Sequence, residues 1–176
     1  MSMRPFSLLF PELAKEDARA LLVRWPNGGL PVDTYVLVEH FCATRGCDCR
    51  RALLGVIRAS TRAHVATLAV AFGTGGSDGS PVETSLDPNN PQSELSNELL
   101  TFFVETCASD LQYTRRLAAH YTMWRQVVED TRHPAHGKLT VEGATVGGVS
   151  PDSGPAVAPS RIPPAYRQWG APRRRP

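Results

Sequence analysis

The stretch that decides the fold is residues 32–59, VDTYVLVEHFCATRGCDCRRALLGVIRA. Side chains alternate between two faces through 32–41 and again through 49–59, which is typical of two β-strands. Between them, the eight residues 42–49 contain three of the four cysteines of the chain, together with Gly46. A short connection with a glycine that can adopt a positive φ predicts a β-hairpin.

The segments on either side of this hairpin extend it into a sheet. Residues 17–25 form a mixed apolar run that ends in the turn sequence Pro-Asn-Gly-Gly, and residues 64–72 are β-branched and apolar. Both are predicted strands. Residues 73–91 are rich in Gly, Ser, Asp and Pro, which predicts a loop with a rigid turn at 87–91. Four strands joined by short turns predict an antiparallel sheet.

The periodicity changes after this loop. Leu95, Leu99 and Phe103 recur at helical spacing, so 93–107 is a predicted helix that starts near Ser93 or Ser96. Ser109 and Gln112 have the spacing of a capping box and open a second predicted helix, 110–131. Two helices with so short a connection are expected to lie antiparallel and to bury their apolar stripes on the sheet. The sequence therefore predicts an α+β fold, with about four antiparallel strands packed against an antiparallel helix pair.

The length and composition of the chain predict one domain followed by a tail. A chain of 176 residues with 41% hydrophobic and 20% charged residues is sufficient for one ordinary globular core. We assign residues 1–135 to a single α+β domain with the Cys cluster and residues 136–176 to a flexible Gly/Pro-rich tail. Its basic end, 161–176, contains five arginines and no acidic residue. A net charge of +2 is too small for nucleic-acid binding by the whole molecule.

The chain has no apparent membrane segment. A run of about 18 apolar residues is absent, and residues 1–10 make a poor signal peptide. These observations favour a cytoplasmic location and no membrane partner. Cytosolic thiols are kept reduced, so clustered cysteines there indicate metal binding or redox chemistry rather than disulfides.

Three cysteines have a spacing suited to a metal. Cys47 and Cys49 share one side of an extended chain, and Cys42 returns to them across the turn, so three sulfurs can converge on one ion. Zinc is the favoured metal because it takes tetrahedral thiolate and imidazole ligands. A fourth ligand must come from elsewhere, and His120, His40 and Cys107 are the candidates. His120 lies on the predicted sheet-facing stripe, although it can equally hydrogen-bond a backbone carbonyl there.

Three sequence segments carry a family resemblance: FCATRGCDCRR at 41–51, LDPNNPQS at 86–93 and RLAAHY at 116–121. Over about residues 10 to 130 the chain resembles a group of uncharacterised bacterial proteins often assigned a C-terminal SEC-C zinc motif. The resemblance implies zinc ligands at Cys42, Cys47, Cys49 and His120, but not at Cys107. That terminal motif is absent here and is replaced by residues 166–176. The resemblance implies no activity.

The function expected from these features is a non-enzymatic zinc-binding module. The metal would tie the hairpin to the second helix, and a protein or RNA partner would bind, with the basic tail as one contact. The alternative is a thiol-based redox or metal-dependent enzyme that uses Cys47 and Cys49. Carboxylate catalysis is not indicated, because Glu39, Asp48 and Asp87 are interpreted as solvated charges.

Overall fold

Over the residues that the structure describes, the protein forms an α+β fold built on a six-stranded antiparallel sheet with three α-helices. The structure is a computed structural model that describes residues 2–72 and 83–140. The strands are Met3–Pro5 (β1), Arg19–Val23 (β2), Asp33–Cys42 (β3), Arg51–Arg58 (β4), Ala63–Ala71 (β5) and Glu83–Leu86 (β6). The helices are Pro11–Glu16 (α1), Ser96–Phe103 (α2) and Leu111–Glu129 (α3). Short 3-10 helices lie at Phe6–Leu8 and His136–Thr140, and a π-helical turn at Val104–Ala108 follows α2.

The long strand β3 organises the sheet. It pairs with β4 on one side, and β4, β5 and β6 follow in order. On its other side β3 pairs with two strands, β1 opposite residues 40–42 and β2 opposite residues 33–37. Val38 and Glu39 therefore lie in a gap between β1 and β2, which the chain crosses with Phe6–Leu8 and α1. This gap allows a polar group to reach the sheet edge beneath α3.

The predicted fold class and antiparallel sheet are confirmed, but the predicted number of strands is wrong. The four predicted strands correspond to β2, β3, β4 and β5. Two strands were not predicted: β1, which has only three residues and ends in Pro5, and β6, which has the polar sequence ETSL. The predicted loop 73–91 thus contains a strand, while its residues 73–82 lie outside the described part of the chain.

The helices begin close to their predicted starts. Ser96 opens α2, and its hydroxyl accepts the N–H of Ser93 at 2.9 Å and donates to the Val65 carbonyl at 3.1 Å. The cap of α3 is Asp110, whose carboxylate accepts the Gln112 N–H at 2.9 Å. The predicted cap, Ser109, is wrong by one residue because its hydroxyl donates back to the Glu105 carbonyl of the preceding turn.

Both longer helices lie on one face of the sheet. Helix α2 contacts β5 and β6, and α3 contacts β3 through Trp124, whose ring lies 6.1 Å from that of Phe41. At the junction of the two helices, Phe103 and Tyr113 form an edge-to-face pair at 5.9 Å. None of the described helices is long and apolar enough to cross a bilayer.

The segment 87–93 closes the edge of β5 beyond β6. Its rigid turn is present, because Asp87 accepts the Asn89 N–H at 3.1 Å and the Asn90 side-chain amide at 2.6 Å. The Gln92 side chain then pairs with the backbone of Thr67, accepting its N–H at 3.2 Å and donating to its carbonyl at 3.0 Å. Asp87 is only 4% exposed, so its interpretation as a solvated charge is wrong.

The folded region extends beyond its predicted end at residue 135. The 3-10 helix His136–Thr140 follows, with Leu139 packed against the core. The His136 ring lies 2.8 Å from the Val127 carbonyl of α3. The first five residues assigned to the tail are therefore part of this fold. The rest of the predicted tail, 141–176, lies outside the described residues.

Candidate metal centre

The predicted hairpin brings the three clustered cysteines together. Cys42 is the last residue of β3, and the connection to β4 turns at Gly46, which has φ +67°. The Cys47 N–H closes the turn on the Thr44 carbonyl at 3.3 Å. As a result the sulfurs of Cys42, Cys47 and Cys49 all lie within 4.8 Å of one another. We call residues 42–50 the thiol loop.

Backbone N–H groups converge on the three sulfurs in a repeated pattern. The Thr44 N–H donates to the Cys42 sulfur at 3.4 Å. Cys47 accepts from the backbone of Cys49, and Cys49 accepts from the backbone of Arg51. Each cysteine thus accepts an N–H from the residue two positions later. Such hydrogen bonds favour the negatively charged thiolate, which is the form that binds a metal.

The ionisation of two of these thiols is linked. The N–H of Cys49, followed by the thiols of Cys49 and Cys42, lowers the pKa of Cys47. Burial and the neighbouring Cys47 raise the pKa of Cys49 to about 12. Of this pair, Cys47 therefore loses its proton first, because its neighbours donate to the new thiolate. A second thiolate beside the first is unfavourable unless a cation neutralises both.

The spacing of the sulfurs is suited to a single ion. Zinc–sulfur bonds of about 2.3 Å in tetrahedral geometry place two sulfurs about 3.8 Å apart. The observed upper limit of 4.8 Å is about one ångström larger, which small side-chain rotations can remove. The three close cysteines could therefore hold a metal ion.

Helix α3 holds the first half of the thiol loop in place. The indole N–H of Trp124, a fully buried residue, donates to the Cys42 carbonyl at 2.9 Å. The Arg125 guanidinium donates to the same carbonyl at 3.3 Å and to the Thr44 carbonyl at 3.0 Å. The arginine also lies close enough to Cys47 to lower the pKa of that thiol further.

The tip and the second half of the loop are held by the same helix. The Glu129 carboxylate, paired with Arg125, accepts the Gly46 N–H at 3.0 Å. The Tyr121 hydroxyl accepts a backbone hydrogen bond from Arg50 and lies near Cys49. The sequence did not identify these roles. A signal for them exists, since Tyr121, Arg125 and Glu129 recur every four residues and so share one face of the helix.

The structure does not bring His120, the predicted fourth ligand, to the sulfurs. Its Nδ1 lies 2.8 Å from the Glu39 carboxylate and its Nε2 lies 3.1 Å from the Asp17 carboxylate. Its ring also stacks on Phe6 at 4.4 Å. Asp17 is additionally paired with Arg116 at 3.5 Å. The ligand assignment at His120 is therefore corrected, because both of its nitrogens already face carboxylates.

This arrangement, which we call the His120 network, consists of Asp17, Glu39 and His120. Two carboxylate acceptors require an N–H on each ring nitrogen, which is the imidazolium form. Burial lowers the pKa of His120, but the hydrogen bonds and charges of Glu39 and Asp17 outweigh it, and the net shift is upward. The Glu39 side chain is only 12% exposed, so its interpretation as a solvated charge is wrong.

The other two candidate ligands are also held away from the sulfurs. The His40 Nδ1 lies 3.0 Å from the Val38 carbonyl, and the His40 ring contacts Gly55. Burial lowers the pKa of His40. Cys107 lies in the π-helical turn after α2, where burial raises the pKa of its thiol. Among the described residues, the group of ligating side chains with metal spacing consists of three cysteines alone.

Comparisons with known proteins leave the family open. The chain matches no family model, no curated protein and no solved structure. The resemblance to proteins with a SEC-C zinc motif therefore stays a prediction.

Proposed function

We propose that the protein is a zinc-binding module in which Cys42, Cys47 and Cys49 are the protein ligands. The observation that carries the proposal is the convergence of three sulfurs within 4.8 Å on a backbone that donates an N–H to each. Thiolate ligands and tetrahedral spacing favour zinc over hard cations such as magnesium or calcium, which prefer oxygen.

The proposed role is non-enzymatic: the metal would stabilise the structure of the hairpin. Hydrogen bonds from Trp124, Arg125 and Glu129 connect the thiol loop to α3, in place of the link that His120 was expected to supply. A metal that orders the loop would therefore also order its contacts with α3. Metal binding of this kind contributes directly to folding free energy.

A partner is proposed to bind at or near this loop. Arg45 and Arg50 are exposed on it and Arg51 is exposed directly after it, which provides positive charge suited to RNA or to an acidic protein surface. The basic segment 161–176 would add to this charge. A protein or RNA partner of this kind is expected to dissociate as the salt concentration rises.

Elemental analysis of the purified full chain tests the metal proposal. We expect one zinc per chain, and loss of zinc in Cys47→Ser. Cys107→Ser is the matched control, because it removes a thiol outside the cluster and should keep the metal. Protein without bound zinc, with the same melting temperature before and after addition of zinc, would contradict the proposal.

A thiol-based redox function is the second candidate. It is favoured by the lowered pKa of Cys47, a partly exposed thiol next to two others. An oxidant such as hydrogen peroxide would convert the Cys47 thiolate to a sulfenic acid, and Cys42 or Cys49 would then displace water to form a disulfide. Mass spectrometry of the zinc-free and zinc-loaded proteins after peroxide treatment separates the two functions, since bound zinc should protect all three thiols.

A further inference from the structure

We infer that the fourth zinc ligand is the thiolate of an anionic thiol from outside the chain. The inference rests on the proposed three-cysteine site and names the class of ligand that completes it. Structural zinc sites have four protein ligands, whereas a site with three protein ligands binds water or another molecule in the fourth position. In the part of the chain that the structure describes, the thiol loop supplies three protein ligands and so leaves the fourth position to another molecule.

Among the described residues, no fourth protein ligand lies within reach of the three sulfurs. His120 is bonded at both nitrogens, and His40 and Cys107 lie elsewhere. Asp48, between Cys47 and Cys49, is exposed and is not part of the group with metal spacing. The Glu129 carboxylate accepts the Gly46 N–H and is paired with Arg125. Its movement to the metal would break both contacts. The protein ligand set of the described chain therefore ends at three.

An ion held by the three sulfurs would be accessible from solvent. Cys42 is buried, but Cys47 and Cys49 are partly exposed, and the loop residues 44–46 between the cysteines are exposed. Helix α3 bonds the loop through Trp124 and Arg125, and Ser2 and Phe72 bond the backbone of Ala43 and Arg50 at its two ends. A molecule in solvent can thus approach an ion held by the three sulfurs from the exposed side.

The charged side chains around the thiol loop favour an anionic ligand. Zinc held by three thiolates has a net charge of −1, and a fourth thiolate makes it −2. The thiol loop and the facing turn of α3 carry Arg45, Arg50 and Arg125 against Asp48 and Glu129, and Arg51 follows the loop. The four arginines exceed the two carboxylates by two positive charges. This excess outweighs the −1 charge of the three-thiolate zinc centre and so favours an anionic ligand over a neutral one.

The ligand exchange is balanced without any redox change. Water leaves the zinc, the sulfur of the incoming thiol bonds to it, and the thiol proton passes to solvent. Thiolate is the soft donor that matches the three already present. The thiol can come from a small molecule or from a cysteine of an acidic peptide, which share this chemistry.

Cobalt(II) substitution of the full chain tests the inference. Cobalt in the site gives thiolate charge-transfer bands in the near ultraviolet and d–d bands in the visible, both sensitive to the fourth ligand. We expect a three-thiolate spectrum that changes saturably on titration with glutathione, with a further rise in charge-transfer intensity. An acidic peptide containing one cysteine, titrated in parallel, distinguishes the two sources. The source with the higher affinity is the one that the site prefers.

The controls separate charge from thiol chemistry. The neutral thiol 2-mercaptoethanol should bind more weakly than glutathione. Arg45→Gln should weaken glutathione binding by roughly two- to five-fold, as expected for one exposed charge, and weaken 2-mercaptoethanol binding less. Arg132→Gln is the matched control, because Arg132 is 95% exposed and lies after α3. It should leave binding of both thiols unchanged.

The outcomes also separate the inference from the proposal beneath it. Cobalt binding with a spectrum that neither thiol nor peptide alters would overturn the inference and leave the three-cysteine site standing. A four-thiolate spectrum before any thiol is added would also overturn it, since the chain would then supply the fourth ligand. Failure to bind cobalt or zinc would overturn both.

Discussion

Helix α3 takes part in both the thiol loop and the His120 network. The two differ in whether their potential metal ligands are already bonded to other groups. In the His120 network both ring nitrogens face carboxylates, so the side chain has no lone pair for a metal. In the thiol loop, α3 bonds backbone atoms and leaves the sulfurs to one another. The bonding state of a donor atom, and not only the residue type, therefore decides whether that atom is available as a ligand.

Replacement of Trp124 by alanine should cause the largest effect, because it removes a fully buried side chain of α3 together with its hydrogen bond to the thiol loop. Loss of a fully buried tryptophan typically costs about 3–5 kcal/mol of unfolding free energy. Denaturant titration measures this. Trp124→Phe should cost less, since it keeps most of the ring packing and loses the bond to the Cys42 carbonyl. Equal losses for both variants would show that the hydrogen bond dominates.

Replacement of His120 by glutamine should affect stability but not metal content. The variant removes the cation that faces Glu39 and leaves Asp17 with Arg116 alone, at a cost of roughly 1–3 kcal/mol. The zinc-to-protein ratio should equal that of the unmodified chain. Elemental analysis and denaturant titration of the same preparation measure both. Loss of zinc in a variant that is still folded would restore His120 as a ligand and break the comparison.

Replacement of Gly46 by alanine should act on the thiol loop alone. Gly46 has φ +67° with nothing within 4 Å of the added Cβ, so the cost is backbone strain, on the order of 1 kcal/mol. Gly46→Asn should cost less, because asparagine tolerates this conformation better. Zinc affinity should fall with stability in the same order, which zinc titration checks. A stable Gly46→Ala protein with unchanged affinity would contradict this coupling.

The smallest expected effect is the pH dependence of the His120 network. The raised pKa of His120 means that its protonation stabilises the fold fully below pH 6.5, and that this contribution is lost as pH rises through the folded-state value. Burial lowers the pKa of His40 and His64, which gives the opposite sign. The test is therefore the difference between the unmodified chain and His120→Gln. Identical stability-versus-pH slopes above pH 6.5 would refute a charged His120.

Regular periodicity made most of the fold predictable, and its absence explains what was missed. Strands β2 to β5 and helices α2 and α3 are long enough for their apolar side chains to repeat. Strands β1 and β6, with three and four residues, are too short for any period to emerge. Helix α1, at six residues, was missed for the same reason.

The candidate site was predictable where its residues are close in the chain. Cys42, Cys47 and Cys49 fall within one turn, so local geometry alone brings them together. The position of His120 was predictable only as far as its helix face. Its partners, Glu39 and Asp17, lie 81 and 103 residues away in the sequence. No local pattern reports such a contact.

The Gln92 side chain has a consequence for self-association. It occupies both backbone hydrogen-bonding groups of Thr67, while the N–H groups of Asp87 and Ser93 bond the Thr67 and Val65 carbonyls. Strand β5 is thereby closed beyond β6, which itself has only four residues. Exposed sheet edges recruit strands from other chains and start aggregation. Together with these two N–H groups, the amide side chain therefore occupies the edge of β5 at Val65 and Thr67, where a strand of a neighbouring molecule could otherwise pair.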